Sequence, residues 1–223
     1  MKQIKLLIKE IIEVIKKHKR AKLHIDAVQG LGKLTPDFNL NDVDLITVSG
    51  HKLNGIKGTG ILFYNDKMHL SFLQGGHQQF GVRPGTVDLA GCVVMAKTIQ
   101  LATRNVEKKY NDVLEKYNYL VSQLSTTKNI VLNTSKYSSP YILSISFKQI
   151  KGETVLHMLE SSGIMVSTGS ACNSGSKEQE KTLIYTLEDA TLAVNTIRIS
   201  LSTETTFDEL NTLITKIKEI GNN

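Results

Sequence analysis

An α/β fold is what this sequence predicts. Three observations carry it: a helical-period apolar stripe at the N-terminus, short β-branched runs set between helical stretches, and a period-2 alternation near the C-terminus. Residues 3–18 place Ile4, Leu7, Ile8, Ile11 and Ile15 at helical spacing with Lys and Glu opposite, the pattern of an amphipathic helix. Leu23 to Val28 reads as a buried strand, Asp44 to Ser49 (DLITVS) as a second and Gly60 to Tyr64 (GILFY) as a third. Pro84-Gly85 punctuates a loop. Residues 89–125 are helical again, long enough for one long helix or two.

The second half repeats the mixture. Ile130 to Asn133 and Tyr141 to Phe147 read as strands, residues 152–162 as a helix and 164–167 as a short strand. Ile197, Ile199 and Leu201 alternate with Arg198, Ser200 and Ser202, as a half-buried strand requires. Thr206 with Glu209 three residues on is a capping box that opens a last helix over 207–220. No internal repeat or low-complexity tract is visible. A domain boundary is expected inside the long helical region near residue 105, dividing the chain into 1–104 and 105–223.

Composition narrows the function classes. The 223 residues carry 27 Lys and Arg against 21 Asp and Glu, a net charge of +6, with 40% hydrophobic and 22% charged residues. That is ordinary for a soluble globular protein. No run approaches the ~18 apolar residues of a membrane span. Glutamates interrupt the N-terminal apolar run, unlike a secretory leader, so a cytoplasmic location is expected. Cys92 and Cys172 lie too far apart for a disulfide framework or a zinc set. The basic group Lys16, Lys17, Lys19, Arg20 and Lys22 reads as a solvated helix C-terminus. Neither nucleic acid nor a membrane is expected as a direct partner.

Four clusters could carry chemistry. In HIDAVQG, Asp26 ends a predicted strand beside His24 and Gln29. It either caps the following loop or faces a cationic ring nitrogen or a metal. Ser49-Gly50-His51-Lys52 follows another strand and precedes Gly55, Gly58 and Gly60. Such a turn can cradle a phosphate, and its lysine can serve as counter-charge or amine nucleophile. Cys172 lies in a run of small polar residues, Ser167 to Ser176 (STGSACNSGS), which suggests a thiolate that moves between sites. Cys92 opens an apolar helical run (CVVMA) and reads as core packing. Arg198 in IRISLS is either a surface residue or a bidentate partner for a carboxylate.

Taken in order, HIDAVQ, SGHK, Gly58 to Phe63, RPGT at 83–86, STGSACNSGS and IRISL resemble the cysteine desulfurases of the NifS/IscS type, in the class-V aminotransferase group. The resemblance implies a partial pyridoxal-phosphate-dependent transferase fold, aspartate-aminotransferase-like. A truncated large domain with a mixed sheet would occupy 1–104, and a smaller C-terminal α+β domain with the cysteine loop 105–223. The family's N-terminal segment would then lie outside these residues. It further implies pyridoxal 5'-phosphate as cofactor, held through Lys52. Asp26 would pair with the ring nitrogen and Gln29 with the ring hydroxyl. Ser49 and His51 would bind the phosphate, and Thr86 the phosphate of a neighbouring subunit in a homodimer. Arg198 would clamp the carboxylate of L-cysteine. Cys172 would take the sulfur as a persulfide and hand it to an acceptor, an iron–sulfur scaffold or a tRNA-thiolation protein. The alternatives are a non-catalytic remnant acting as a binding partner, or a related selenocysteine lyase or aminotransferase.

Overall fold

The computed structural model describes residues 8–65, 73–135, 137–168 and 178–222, the side chains of 178–182 excepted. The described residues divide into two compact units, one within Leu7–Lys109 and one within Tyr110–Asn223. The mixed α/β fold expected from the sequence is what the structure contains.

The first unit opens with helix α1 (Ile8–Ile15), whose Ile12 is buried. Strands β1 (His24–Asp26), β2 (Leu45–Ser49) and β3 (Gly60–Tyr64) form a sheet in that order. β1 runs parallel to β2, and β3 is antiparallel to it. The strand predicted over 23–28 is thus shorter, and it is not buried: His24 and Asp26 are exposed and Ile25 half-buried. The reason is topological, since β1 pairs only with β2 and forms a sheet edge.

The helical stretch after Pro84 is two helices, α2 (Leu89–Ala102) and α3 (Val106–Leu124). Asp88 caps α2 by accepting from the Gly91 amide at 2.9 Å, and Lys109 Nζ donates to the terminal carbonyls of Leu101 and Ala102. The break is at Asn105, which takes the left-handed φ of 53° that Asn tolerates better than most residues. Cys92, expected in the core, is exposed on α2. It fails to be core because Gly91 and Met95 form the buried side of this helix.

The second unit holds a four-stranded sheet in the order β4 (Ile130–Leu132), β5 (Ile142–Phe147), β7 (Thr196–Ser200), β6 (Ser167–Thr168), with antiparallel neighbours throughout. The short strand predicted at 164–167 falls at 167–168, because only those residues reach β7 in register. One face carries Leu143, Ile145, Phe147, Ile197 and Ile199, each at most 4% exposed. The core cluster joins this face to α3, to α4 (Gly152–Glu160) and to α7 (Phe207–Asn222). Helices α5 (Glu178–Leu187) and α6 (Ala190–Val194) were not foreseen from the sequence.

Among the side chains alternating with these hydrophobes, Ser144, Ser146 and Thr196 are internally bonded. Asn133 Nδ2 donates to Ser144 Oγ (3.2 Å) and Ser146 Oγ (2.8 Å). Ser146 Oγ lies 2.7 Å from Thr196 Oγ1, which donates to the Leu192 carbonyl at 2.6 Å. Burial of these hydroxyls is tolerated because each has a partner. The capping box of α7 is formed: Glu209 accepts from the Thr206 amide at 2.7 Å, and Thr206 Oγ1 accepts from the Glu209 amide at 3.2 Å.

Candidate active site

The parallel pairing of β1 and β2 decides where the polar residues converge. Asp26 is in register with Thr47, so Asp26, Thr47 and Ser49 share one face at the C-terminal end of the pair. That end of a parallel pair is where α/β proteins bind ligands. Asp26 Oδ1 accepts from the Val28 amide at 2.9 Å, which turns the chain back after β1. The loop-capping role read from the sequence is therefore real, and it engages one of the two carboxylate oxygens.

After Ser49 the chain enters a tight turn over Gly50–Leu53. Gly50 donates to the Thr59 carbonyl at 2.9 Å, and its own carbonyl accepts from the amides of Asn54 and Gly55. Asn54 closes the turn at a left-handed φ of 61°. Position 50 must lack a side chain: an added Cβ would meet Thr59 Oγ1 and come within 3.1 Å of Met95 Sδ. The turn presents His51 and Lys52 side by side, His51 exposed and Lys52 half-buried. Ser49 Oγ lies 2.8 Å from His51 Nδ1, fixing the imidazole over the strand end.

The structure adds a residue that sequence reasoning missed. Lys33 stands four residues beyond Gln29 in the turns after β1 and donates to Gln29 Oε1 at 3.0 Å. Burial, and then the like charge of Lys52, push the Lys33 ammonium below the ordinary lysine range. Gln29, Lys33 and Lys52 therefore form one electrostatic group.

Asp26, Gln29, Ser49, His51 and Lys52 thus lie in one unit around the ends of β1 and β2. A carboxylate, two ammonium groups, an imidazole and a hydroxyl at the ends of one strand pair suit a ligand with a protonatable ring nitrogen, a phosphate and an aldehyde. Thr86 is exposed in the loop before α2, and its carbonyl accepts from Arg83 Nη1 at 3.3 Å. Arg198 belongs to the second unit, between Ser144 of β5 and Ser167 of β6. Its Nε is buried and has no hydrogen-bond partner among the described residues. Cys172 lies outside the described residues. A cavity of about 530 Å³ in the first unit is lined by Leu31, Leu34, Pro36 and Val106 among others, and by none of these candidate residues. No group of His, Cys, Asp and Glu among the described residues could hold a metal ion, and no helix there is long and apolar enough to cross a membrane.

Known proteins resemble the chain along most of its length. Residues 5–213 match the family described as "Aminotransferase class-V". A protein named "Cysteine desulfurase 2" from Trichormus variabilis is 36% identical over 197 residues, covering 86% of this chain and 48% of the relative. "Cysteine desulfurase" from Enterobacter agglomerans is 34% identical over 207 residues, covering 91% of this chain and 51% of the relative. A solved "NIFS-LIKE PROTEIN" superposes with a TM-score of 0.83 at 30% identity, over 96% of this chain and 56% of its own. The chain spans about half the length of these relatives.

Proposed function

Because the chain belongs to the class-V aminotransferase family, we propose that it carries the lysine and cysteine chemistry of a cysteine desulfurase. The reaction would take sulfur from L-cysteine and release L-alanine. The observation that carries this reading is the grouping of Asp26, Gln29, Ser49, His51 and Lys52 at one end of the β1–β2 pair. Pyridoxal 5'-phosphate fits that donor set and, when bound, supplies an electron sink for charge developing at the substrate Cα.

The chain's own residues do the remaining work. Asp26 holds the proton on a ring nitrogen. Ser49 and His51, already 2.8 Å apart, hold a phosphate, and Gln29 donates to a ring oxygen. Lys52 Nζ anchors the cofactor and then carries the proton taken from the substrate Cα. Arg198 offers its guanidinium to the carboxylate of L-cysteine, which supplies the partner that its Nε lacks. The Cys172 thiolate attacks the substrate sulfur. The carbon–sulfur bond breaks with its electron pair going to carbon, a proton completes L-alanine, and Cys172 keeps the sulfur as a persulfide. An iron–sulfur scaffold or tRNA-thiolation protein then accepts it. Thr86, exposed ahead of α2, serves the phosphate of a neighbouring subunit in a homodimer.

Incubation with pyridoxal phosphate tests the reading. A visible absorption band should appear, borohydride should fix the cofactor on the Lys52 peptide, and Lys52→Ala should abolish both. Cys172→Ala should keep the colour and lose sulfide release. A protein that stays colourless overturns the assignment. It favours the second reading, a non-catalytic binding partner, which the scarcity of buried side chains in the first unit supports.

A further inference from the structure

The side chain of Gln29 ends in an amide, with a carbonyl that accepts and an NH2 group that donates. Which end faces a ligand decides what Gln29 can recognise. Its carbonyl end is engaged by Lys33, whose Nζ donates to Gln29 Oε1 at 3.0 Å. An ammonium only donates, so the flipped amide would set donor against donor at this contact. Nε2 is therefore the end turned away from Lys33.

The backbone holds Lys33 in that place. The amides of Lys33 and Leu34 both donate to the Gly30 carbonyl, at 3.1 and 2.9 Å. Between them and Gln29, Gly32 takes a left-handed φ of 73°, which glycine adopts without steric cost. A Cβ on Gly32 would stand 3.0 Å from Ala102 Cβ and 3.4 Å from Leu53 Cδ2. The segment is thus pressed against the end of α2 and against the residue that follows Lys52. Lys33 is half-buried there, and an ammonium withdrawn from water needs an acceptor. Its lowered pKa, from burial and then the like charge of Lys52, reports the same setting.

We propose that Lys33 is a positioning residue for cofactor recognition: by holding Gln29 Oε1 it makes Gln29 present its NH2 group to the ring oxygen of pyridoxal 5'-phosphate, and so selects a ring that bears that oxygen. The inference rests on the cofactor reading given under the proposed function. Lys33 acts through Gln29 and needs no contact with the ligand. A fixed donor at that point favours an oxygen carrying negative charge, because a hydrogen bond to an ionised acceptor is about twice as strong as a neutral one. An amide left to rotate would offer its carbonyl as readily, and a carbonyl repels the same oxygen.

Two measurements on the whole chain test it, the first with no ligand. With nitrogen-15-labelled glutamine, the side-chain signal of Gln29 is identified by its loss in Gln29→Leu. Its order parameter should approach the rigid value of about 0.85 in the parent, fall below about 0.6 in Lys33→Met, and recover in Lys33→Arg, which also only donates. The second compares the binding of pyridoxal phosphate with that of 3-deoxypyridoxal phosphate, which lacks the ring hydroxyl, by absorbance. The preference for pyridoxal phosphate should fall about 10-fold in Lys33→Met, by the same factor in Gln29→Leu, and no further in the double variant. Lys33→Arg should retain it. Two results overturn the proposal: a Gln29 amide equally ordered in the parent and in Lys33→Met, or a Lys33→Met protein that binds both compounds more weakly by one common factor, the mark of a general structural or charge effect. A chain that binds neither compound would sink the enzymatic reading alone, since the first measurement decides what Lys33 does to Gln29 without any ligand.

Discussion

Replacing Arg198 by Met should make the second unit more stable and, on the proposed function, the protein worse at holding L-cysteine. Arg198 Nε is buried without a partner among the described residues, and an unpaired buried donor costs about 1–3 kcal/mol. Met keeps the straight aliphatic stem and deletes the donor. Arg198 as a whole is only half-buried, so the gain should fall at the low end, about 1 kcal/mol. Urea unfolding followed by far-ultraviolet circular dichroism would register this as a midpoint raised by roughly 0.5 M. The same change removes a charge-assisted, bidentate contact with a carboxylate. Affinity for L-cysteine should drop about 100-fold, measured by displacement from the cofactor-loaded protein. Opposite signs for stability and binding are the signature of a group held ready for a ligand. A loss of stability beyond about 1 kcal/mol would show that the guanidinium braces the sheet, and the argument would fail.

Gly50→Ala should disturb the lysine turn, because its Cβ would collide with Thr59 Oγ1. Gly58→Ala, where nothing lies within 4 Å, should cost about 1 kcal/mol from its positive φ alone and leave cofactor capture at Lys52 intact; equal capture by the two variants would contradict this. Lys116 is 6% exposed and donates to the Thr203 carbonyl and to Asp112, each at 2.8 Å. Lys116→Met strands that carbonyl and should destabilise the unit by about 2 kcal/mol in the same urea assay, with an unchanged midpoint as the refuting result. Glu209 has its carboxyl held below the ordinary range by the Thr206 amide and then the Thr206 hydroxyl. Its contribution is therefore complete above the unfolded value near 4.5 and fades as pH falls through the lower folded value. Glu209→Gln, which cannot titrate, should flatten the acid limb of the stability curve, and an unaltered limb would remove the cap from the account.

Where the sequence was legible, one local pattern answered to one local cause. GILFY became β3 at the predicted residues because Gly60 lets the Val48 carbonyl approach to 3.0 Å from where a Cβ would sit. The box of Thr206 and Glu209 opened the last helix, and the residues of HIDAVQ and SGHK met at one strand end. What failed to show depended on packing at a distance. Cys92 sits in an apolar run, yet its side of α2 is exposed. Asp26 looked costly in a buried strand, and β1 turned out to be an edge. Lys33 escaped notice because its importance comes from Lys52, nineteen positions on and reached only through the fold of the turn.

The beat of β7 has a last consequence. Sliding that strand by one residue would drive the Arg198 guanidinium into the place of Ile197 and Ile199, among the most deeply enclosed side chains in the protein, and strand two isoleucines beside Ser144 and Ser167. The next tolerable alignment is two residues away, about 7 Å along the strand. Hydrophobic spacing here acts as a ruler with coarse divisions: evolution can exchange the side chain at position 198, but it cannot nudge it.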